Sequence, residues 1–320
     1  MKLKLYRGYA NDDNFVIFGH LFKNKSIDDY SLERNWLVNS WEIIQIFNLK
    51  TVRNDKIELR FLDKVYTTTT EADGYFSFDM PYKEEMDFGW HDFTVTLVNH
   101  PEVTATGQLI KQDNRGLAFI SDVDDTFLVS HTVGKLKKLY ILLTRNVIRR
   151  KVFPDVVDHY KALAASSDNP FFYVSSSEWN LYNLINQFVT TNDLPKGVYR
   201  LKHIKTSILD FLKTGRGDHR HKYDKIESLI QFYPGLQFTL LGDDSQQDPE
   251  LYRDITKKYS NHLKAIYIRQ TGNDKVPETV SLLQEVEKMG IATCYFHDSK
   301  KALKHSQKIG LVDADVTPKL

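Results

Sequence analysis

Short β-type runs separated by polar turns dominate the first third of the chain, and the run at 56–62 has the two-residue alternation of a half-buried strand. They lie at residues 15–22, 56–62, 65–70, 75–80, 91–99 and 102–110. Asp73-Gly74, between the third and fourth runs, is a strong hairpin signal. Leu37, Trp41 and Ile44 have the spacing of one inserted helix. The pattern predicts a small antiparallel β-sandwich over residues 1–112.

The pattern changes to alternating strands and helices after a polar stretch at residues 111–116. Near-continuous apolar runs at 117–121, 171–174 and 237–241 are typical of strands buried on both faces of a parallel sheet. Between these runs, apolar residues recur at helical spacing and predict helices at residues 136–147, 155–165 and 179–188. Residues 113–320 are therefore predicted to form a separate α/β domain with a Rossmann-like, three-layer architecture.

Composition excludes several classes of protein. The 43 basic and 42 acidic residues nearly cancel, which argues against nucleic-acid binding and strong attraction to anionic membranes. No apolar stretch approaches the ~20 residues that span a bilayer, so we expect at most peripheral membrane contact. A single cysteine, Cys294, and the absence of a signal-like N-terminus favour a cytoplasmic protein.

Candidate chemistry begins where the first parallel strand ends, at Asp122, Asp124 and Asp125. Crowding carboxylates costs free energy unless a cation offsets their charge, and Mg²⁺ prefers oxygen ligands of this kind. A calcium-binding helix-loop-helix needs Gly and Glu at positions occupied here by Phe127 and Val133. A solvated acidic turn is the remaining alternative to a metal site.

The strand followed by D-x-D-x-T resembles the first motif of the haloacid-dehalogenase-like phosphotransferases. The resemblance implies that Asp122 is the nucleophile, that Asp124 is the general acid and base, and that Thr126 belongs to the same catalytic loop. It also implies a Ser or Thr that holds phosphoryl oxygens, which we assign to Ser175; Ser177 better suits a helix cap.

Two later motifs complete the resemblance. The lysine of the third motif corresponds to Lys222, with Lys225 as its competitor. The fourth motif is Gly242-Asp243 followed by Asp248, which implies Mg²⁺ binding by Asp122, Asp124 and Asp243, with Asp248 acting through water or orienting the other ligands. The segments between motifs hold little beyond their predicted helices, so we expect no large cap domain.

A closer resemblance is to the actin-patch phosphatidate phosphatase family. It covers residues 117–270, through the segments 120–126, 173–182, 194–197, 241–252 and 265–269. The resemblance implies Mg²⁺-dependent conversion of phosphatidate to diacylglycerol. Glu178 and Asp244 depart from the family pattern, and each adds negative charge. A phosphatase acting on phosphoprotein or nucleic-acid ends and a non-catalytic binding scaffold remain alternatives.

Overall fold

The computed structural model of the chain describes residues 1–25, 45–123, 154–165, 169–204, 219–272 and 274–313. Within these ranges the chain forms an eight-stranded and a six-stranded sheet. The helices predicted around Leu37 and over residues 136–147 lie outside the described residues.

The N-terminal sheet contains every strand predicted from the short β-type runs, together with two short strands at its beginning. The strands are β1 (Lys2–Leu5), β2 (Gly8–Ala10), β3 (Asn14–Phe22), β4 (Lys56–Phe61), β5 (Lys64–Thr69), β6 (Tyr75–Pro81), β7 (Gly89–Leu97) and β8 (His100–Lys111). Their order is β1-β3-β2-β8-β7-β4-β5, with β6 paired to β3. Neighbours are antiparallel except β2 and β8, which run parallel.

Alternation explains why this sheet encloses a core. Ile57 and Leu59 of β4 are fully buried, while Lys56, Glu58 and Arg60, which alternate with them, are more exposed. They belong to the same hydrophobic cluster as Phe76 and Phe78, which come from the other side of the sheet. Gly74 has φ of 79° in the predicted hairpin turn, a conformation that favours glycine. The predicted N-terminal β domain is therefore confirmed, and its one parallel pair, β2 and β8, makes the sheet mixed rather than antiparallel throughout.

The second sheet is entirely parallel and has the order β11-β10-β9-β12-β13-β14. Its strands are β9 (Gly116–Asp122), β10 (Phe171–Glu178), β11 (Gly197–Lys202), β12 (Leu236–Asp243), β13 (Leu263–Arg269) and β14 (Ala292–Phe296). The strand that carries the first acidic motif, β9, is central and lies between the strands of the second and fourth motifs. The carboxyl ends of all these strands share one edge.

Helices cover both faces of this sheet. They are α1 (Pro154–Ala165), α2 (Tyr182–Thr191), α3 (His219–Phe232), α4 (Asp248–Tyr259), α5 (Val276–Lys288) and α6 (Ser299–Lys308). On one face His159 of α1 and Ser306 of α6 share a 2.8 Å hydrogen bond beside Tyr267 of β13. On the other face α4 packs against Gly242 of β12. These are the three layers predicted from the sequence.

The two sheets share a hydrophobic core. The Tyr6 ring stacks on Trp179 with centroids 4.0 Å apart, and Tyr233 donates a hydrogen bond to the Ala10 carbonyl. Asn11 also donates a 2.7 Å hydrogen bond to the Phe232 carbonyl. The chain leaves the first sheet at Lys111 and enters the second at Gly116. The domain boundary between residues 112 and 113 stays a prediction.

None of the helices in the described ranges is long and apolar enough to cross a membrane. The absence of a large cap also stays a prediction, because residues 124–153 and 205–218, which join strands to the next elements, lie outside the described residues.

Candidate active site

Asp122 is the last residue of the central strand β9. It lies opposite Val174 of β10, and its neighbour Ser121 lies opposite Leu241 of β12. Ser121 donates a 2.8 Å hydrogen bond to the Asp122 carbonyl, and its hydroxyl is also 2.9 Å from the Tyr160 hydroxyl. The strand end is thus fixed by buried polar contacts, and only 2% of Asp122 is exposed.

Asp243 and Asp248 come from the next strand and the helix after it. Asp243 ends β12, Asp248 begins α4, and both are fully buried. Gly242 makes this approach feasible, because a Cβ atom there would lie only 2.6 Å from Asp248 Oδ2. The glycine of the predicted G-D motif is therefore required by the close packing of a carboxylate.

Lys222 links two of these carboxylates. Its Nζ atom is 3.0 Å from Asp122 Oδ1 and 2.8 Å from Asp248 Oδ1, and the lysine is itself buried. Lys225, the competitor named from the sequence, is three residues further along α3 and belongs to a different cluster described below. A buried lysine between two carboxylates offsets part of the cost of burying their charge.

The carboxylates form a group that could hold a metal ion. Oxygen atoms of Asp122, Asp243 and Asp248 all lie within 4.8 Å of one another. Burial raises the pKa of the Tyr160 phenol, and the charges of Asp122 and Asp243 raise it further. Burial likewise raises the pKa of Tyr252, with Asp248 and Asp122 adding to the effect. The carboxylate charges thus add to the effect of burial on both phenols, and the same charges favour a bound cation.

Ser175 lies on the strand next to Asp122, one residue beyond the Val174 that faces it. The serine is fully buried, and its hydroxyl accepts a 2.9 Å hydrogen bond from the Ser177 amide. Ser177 does not cap the following helical turn, because Glu178 occupies that position without a side-chain cap. The second motif thus ends at the same edge of the sheet as the other two.

Asp124 and Thr126 lie outside the described residues. The roles of Asp124 as general acid and base and as a metal ligand through its carbonyl remain predictions. The role of Thr126 as a residue of the catalytic loop also remains a prediction.

Arg269 is a charged residue of this edge to which the sequence alone gave no role. It ends β13, lies opposite Asp243 and is 4% exposed. Its charge lowers the pKa of Tyr160, which places the guanidinium near the carboxylate group. A lone arginine at a strand end is a weak sequence signal, although its place after an apolar run at residues 265–268 was visible.

Asp244 has a structural environment of its own. One oxygen accepts hydrogen bonds from the Thr271 amide, at 2.7 Å, and from the Thr271 hydroxyl. The other oxygen accepts a 2.6 Å hydrogen bond from the Tyr295 hydroxyl. This carboxylate ties β12 to the segment after β13 and to β14, so its negative charge is engaged away from the three-carboxylate group.

Comparison with known proteins places most of the second sheet, from β9 to β13, in a known family. Residues 117–270 match the family described as phosphatidate phosphatase APP1, catalytic domain. The chain is 30% identical over 286 residues to the phosphatidate phosphatase APP1 of Saccharomyces cerevisiae, which covers 83% of this chain and 46% of the relative.

An uncharacterized protein of Schizosaccharomyces pombe is 20% identical over 217 residues, covering 65% of this chain and 35% of the relative. The chain spans less than half the length of either relative. Among solved structures, a carbohydrate acetylesterase from Xanthomonas citri aligns over 94% of this chain and 72% of its own. That alignment has 11% identity and a TM-score of 0.36, too low to indicate a shared fold.

The three carboxylates and Lys222 fall inside the matched range, with Asp122 and Asp243 at strand ends and Asp248 and Lys222 in the first turns of two helices. Residues 117–270 of this chain therefore belong to the family of the phosphatidate phosphatase APP1 catalytic domain.

Proposed function

We propose that this protein is a Mg²⁺-dependent phosphatase that hydrolyses a phosphate monoester, with phosphatidate as its substrate and diacylglycerol as its product. The observation that carries the proposal is the buried group of Asp122, Asp243 and Asp248, bridged by Lys222, within a domain of this family. Burying three carboxylates without a function would cost stability with no return, which argues against a purely structural scaffold.

The donor set fits Mg²⁺, because it consists of hard carboxylate oxygens close enough to share one ion. Asp122, Asp243 and the Asp124 carbonyl would hold the ion, and Asp248 would act through water or by orienting the other ligands. When bound, the ion would offset the negative charge of the phosphoryl group.

Asp122 is the proposed nucleophile. Its carboxylate oxygen attacks phosphorus, the bond from phosphorus to the ester oxygen breaks, and Asp124 donates a proton to the departing alkoxide. Water then attacks the aspartyl-phosphate, Asp124 accepts a proton from that water, and inorganic phosphate leaves. Both the carboxylate of Asp122 and the acid form of Asp124 are thereby regenerated.

The remaining residues hold the phosphoryl group. The ammonium of Lys222 lies 3.0 Å from Asp122, so it would neutralise charge between nucleophile and phosphate. The Ser175 hydroxyl and neighbouring amides would donate hydrogen bonds to phosphoryl oxygens, and Thr126 would belong to the same loop as Asp124. Arg269 is a further cation near enough to favour an anionic substrate.

The choice of a lipid as the substrate rests on the family match and on the expected absence of a large cap domain. A site without a cap suits a headgroup presented at a membrane surface better than a small metabolite that needs enclosure. Peripheral contact would suffice, since the described helices include no candidate membrane span.

A substrate screen tests this choice. Phosphate release should be measured with Mg²⁺ on phosphatidate in mixed micelles, on phosphopeptides and on 5′-phosphorylated oligonucleotides. We expect release from phosphatidate. Release from a peptide or oligonucleotide alone would keep the chemistry and refute the lipid substrate, and release from none would refute the phosphatase.

The first prediction concerns Asp122→Asn. The amide keeps nearly the same shape but cannot act as a nucleophile, so turnover should fall to background while the fold is retained. The matched control is Asp254→Asn on the surface of α4, where the carboxylate is 49% exposed. It should leave activity within about twofold of the parent protein. Substantial turnover by folded Asp122→Asn would refute the aspartyl-phosphate mechanism.

A further inference from the structure

A second group of basic side chains lies beside the carboxylate site. Arg200 and Lys202 come from the end of β11, and His221 and Lys225 come from the first two turns of α3. We refer to these four residues as the basic cluster. The ring of His221 donates a hydrogen bond to the Leu201 carbonyl, which joins the helix to the strand.

The basic cluster is close to the proposed nucleophile. Asp122 is in register with Val174, and Val174 is in register with Arg200 on the following strand. Two strand spacings of ~4.8 Å put the Arg200 backbone about 10 Å from that of Asp122. Residues in register on parallel strands share a face of the sheet, so the cluster and Asp122 lie on the same face.

The N-terminal sheet forms one wall of the basic cluster. The Arg200 guanidinium lies 5.4 Å from the centroid of the Tyr9 ring and 5.5 Å from that of Phe18. The predicted hairpin adds Asp73, whose carboxylate is 3.5 Å from Nδ1 of the neighbouring His203. His203 thus engages a carboxylate of the N-terminal sheet.

The carboxylates of the described residues leave the charge of the basic cluster largely unpaired, although the Asp224 charge acts on Lys225. Among the described residues, no ion pair within 4.0 Å joins a carboxylate to Arg200, Lys202 or Lys225, although the buried Glu178 is in register with Lys202. Arg200 Nε and His221 Nε2 are buried and have no hydrogen-bond partner. Buried polar atoms normally have partners, so these two point to a ligand.

The electrostatics of the basic cluster agree with this geometry. The pKa of Lys225 is lowered to about 8, mainly by burial and then by the Arg200 charge, which together outweigh the opposing charge of Asp224. Burial also lowers the pKa of His221 to about 4, with contributions from Lys225 and Lys202. The cations of the cluster therefore lie close enough to destabilise one another's charged forms, which favours the binding of an anion.

We propose that Arg200, Lys202, His221 and Lys225 form a second anion subsite, which binds a phosphate group beside the catalytic carboxylates. Arg200 and Lys225 supply charge and donors, and the free lone pair of neutral His221 can accept a hydrogen bond from a protonated phosphate oxygen. The phosphate group can come from free phosphate or from the headgroup of an anionic lipid. The inference goes beyond the proposed function and does not depend on turnover.

Calorimetric titration of the full chain with inorganic phosphate, after removal of divalent metal, tests the second prediction. Lys225→Gln removes a charge that burial penalises, so the variant should fold as well as the parent protein, and its melting temperature checks this. Its phosphate affinity should be about tenfold weaker, the size expected for one charged hydrogen bond. Arg200→Lys, which keeps the charge, should lose less affinity than Arg200→Gln.

Lys264→Gln is the matched control, since this exposed lysine lies near the amino end of β13, at the opposite edge of the sheet. It should bind phosphate like the parent protein, whose affinity should fall as salt rises. Equal phosphate affinity in the parent protein, Lys225→Gln and Arg200→Gln would overturn the subsite.

Vesicle sedimentation separates the two sources of phosphate. Phosphatidylglycerol is anionic but is not a phosphate monoester, so it reports binding without turnover. If a lipid headgroup is the natural ligand, phosphatidylcholine vesicles containing phosphatidylglycerol should retain the parent protein and Lys264→Gln more than Lys225→Gln. If only the phosphate titration distinguishes the variants, the subsite stands and its ligand is a soluble phosphate.

Discussion

Two neighbouring aspartates have separate tasks because their side chains leave the strand end in different directions. Asp243 belongs with Asp122 and Asp248 to the three-carboxylate group, and one of its oxygens accepts a 2.6 Å hydrogen bond from the Ser245 amide. Asp244 instead bonds to Thr271 and Tyr295. The extra carboxylate that departs from the family pattern therefore serves packing between strands.

The third prediction compares Asp243→Asn with Asp244→Ser. Asp243→Asn should sharply raise the Mg²⁺ concentration needed for half-maximal activity, because a ligand charge is lost. Asp244→Ser should leave that concentration nearly unchanged but lower the free energy of unfolding by about 1.5–3 kcal/mol, since charge-assisted hydrogen bonds disappear. Mg²⁺ titrations and urea unfolding of both variants decide the matter. The reverse pattern would mean that the ligands are misassigned.

At the scale of elements, the site depends on the short distance between the end of β12 and the first residue of α4. Asp248 is the first residue of the helix, and its Oδ1 atom is held 2.8 Å from Lys222. Tyr252, one turn later, donates a hydrogen bond to the Leu241 carbonyl and fastens the helix to the strand. The carboxylate has little freedom to move away from Gly242.

The fourth prediction is that Gly242→Ala damages the site without disturbing the rest of the fold. The new methyl would meet Asp248 Oδ2 at 2.6 Å and the Tyr252 ring at 2.9 Å, so the first turn of α4 must shift. We expect about a tenfold loss of activity and weaker Mg²⁺ activation, in keeping with the sensitivity of such sites to displacements of about 1 Å.

Gly272→Ala is the control for that change, because a Cβ atom there meets nothing within 4 Å. It should leave Mg²⁺ activation unchanged. Full activity of Gly242→Ala would show that Asp248 is not needed in its observed position.

Over the whole molecule, a continuous core joins the two sheets. His20 of the N-terminal sheet is buried, and its Nδ1 atom is 3.0 Å from the Tyr6 hydroxyl, whose ring stacks on Trp179. His159 is equally buried between α1 and α6, where it contacts Ser306. Acid that charges either histidine should therefore destabilise one cooperative unit.

The fifth prediction is a loss of stability with acid. Burial lowers the pKa of His20 to about 4 and that of His159 to about 3, whereas the unfolded values lie near 6.5. Between these values the unfolded chain binds more protons, so the free energy of unfolding should fall as pH falls below about 6.5. Each histidine contributes up to about 1.4 kcal/mol per pH unit.

Urea unfolding at a series of pH values measures this slope. His159→Gln and His20→Gln should each flatten the slope, and the exposed His297→Gln should not. A slope that is unchanged in the double variant would contradict the assignment to these histidines.

Local patterns in the sequence were enough to predict the layers of the α/β domain and the strand ends that carry its chemistry. Apolar runs without alternation indicate strands buried on both faces, and Asp122 and Asp243 follow such runs directly. Since parallel strands align their carboxyl ends, residues far apart in the chain could be expected to meet. Six of the eight N-terminal strands were also visible as short β-type runs, whereas β1 and β2 were not predicted.

Only the tertiary structure decided features that depend on side-chain direction and on contacts between distant elements. Lys222 and Lys225 are three residues apart on one helix, yet one meets the carboxylates and the other faces β11, because packing determines how α3 is rotated. The direction of Asp244, the shared core of the two sheets and the basic cluster have the same origin. Each arises where separate segments meet, and no local pattern of residues encodes such a meeting.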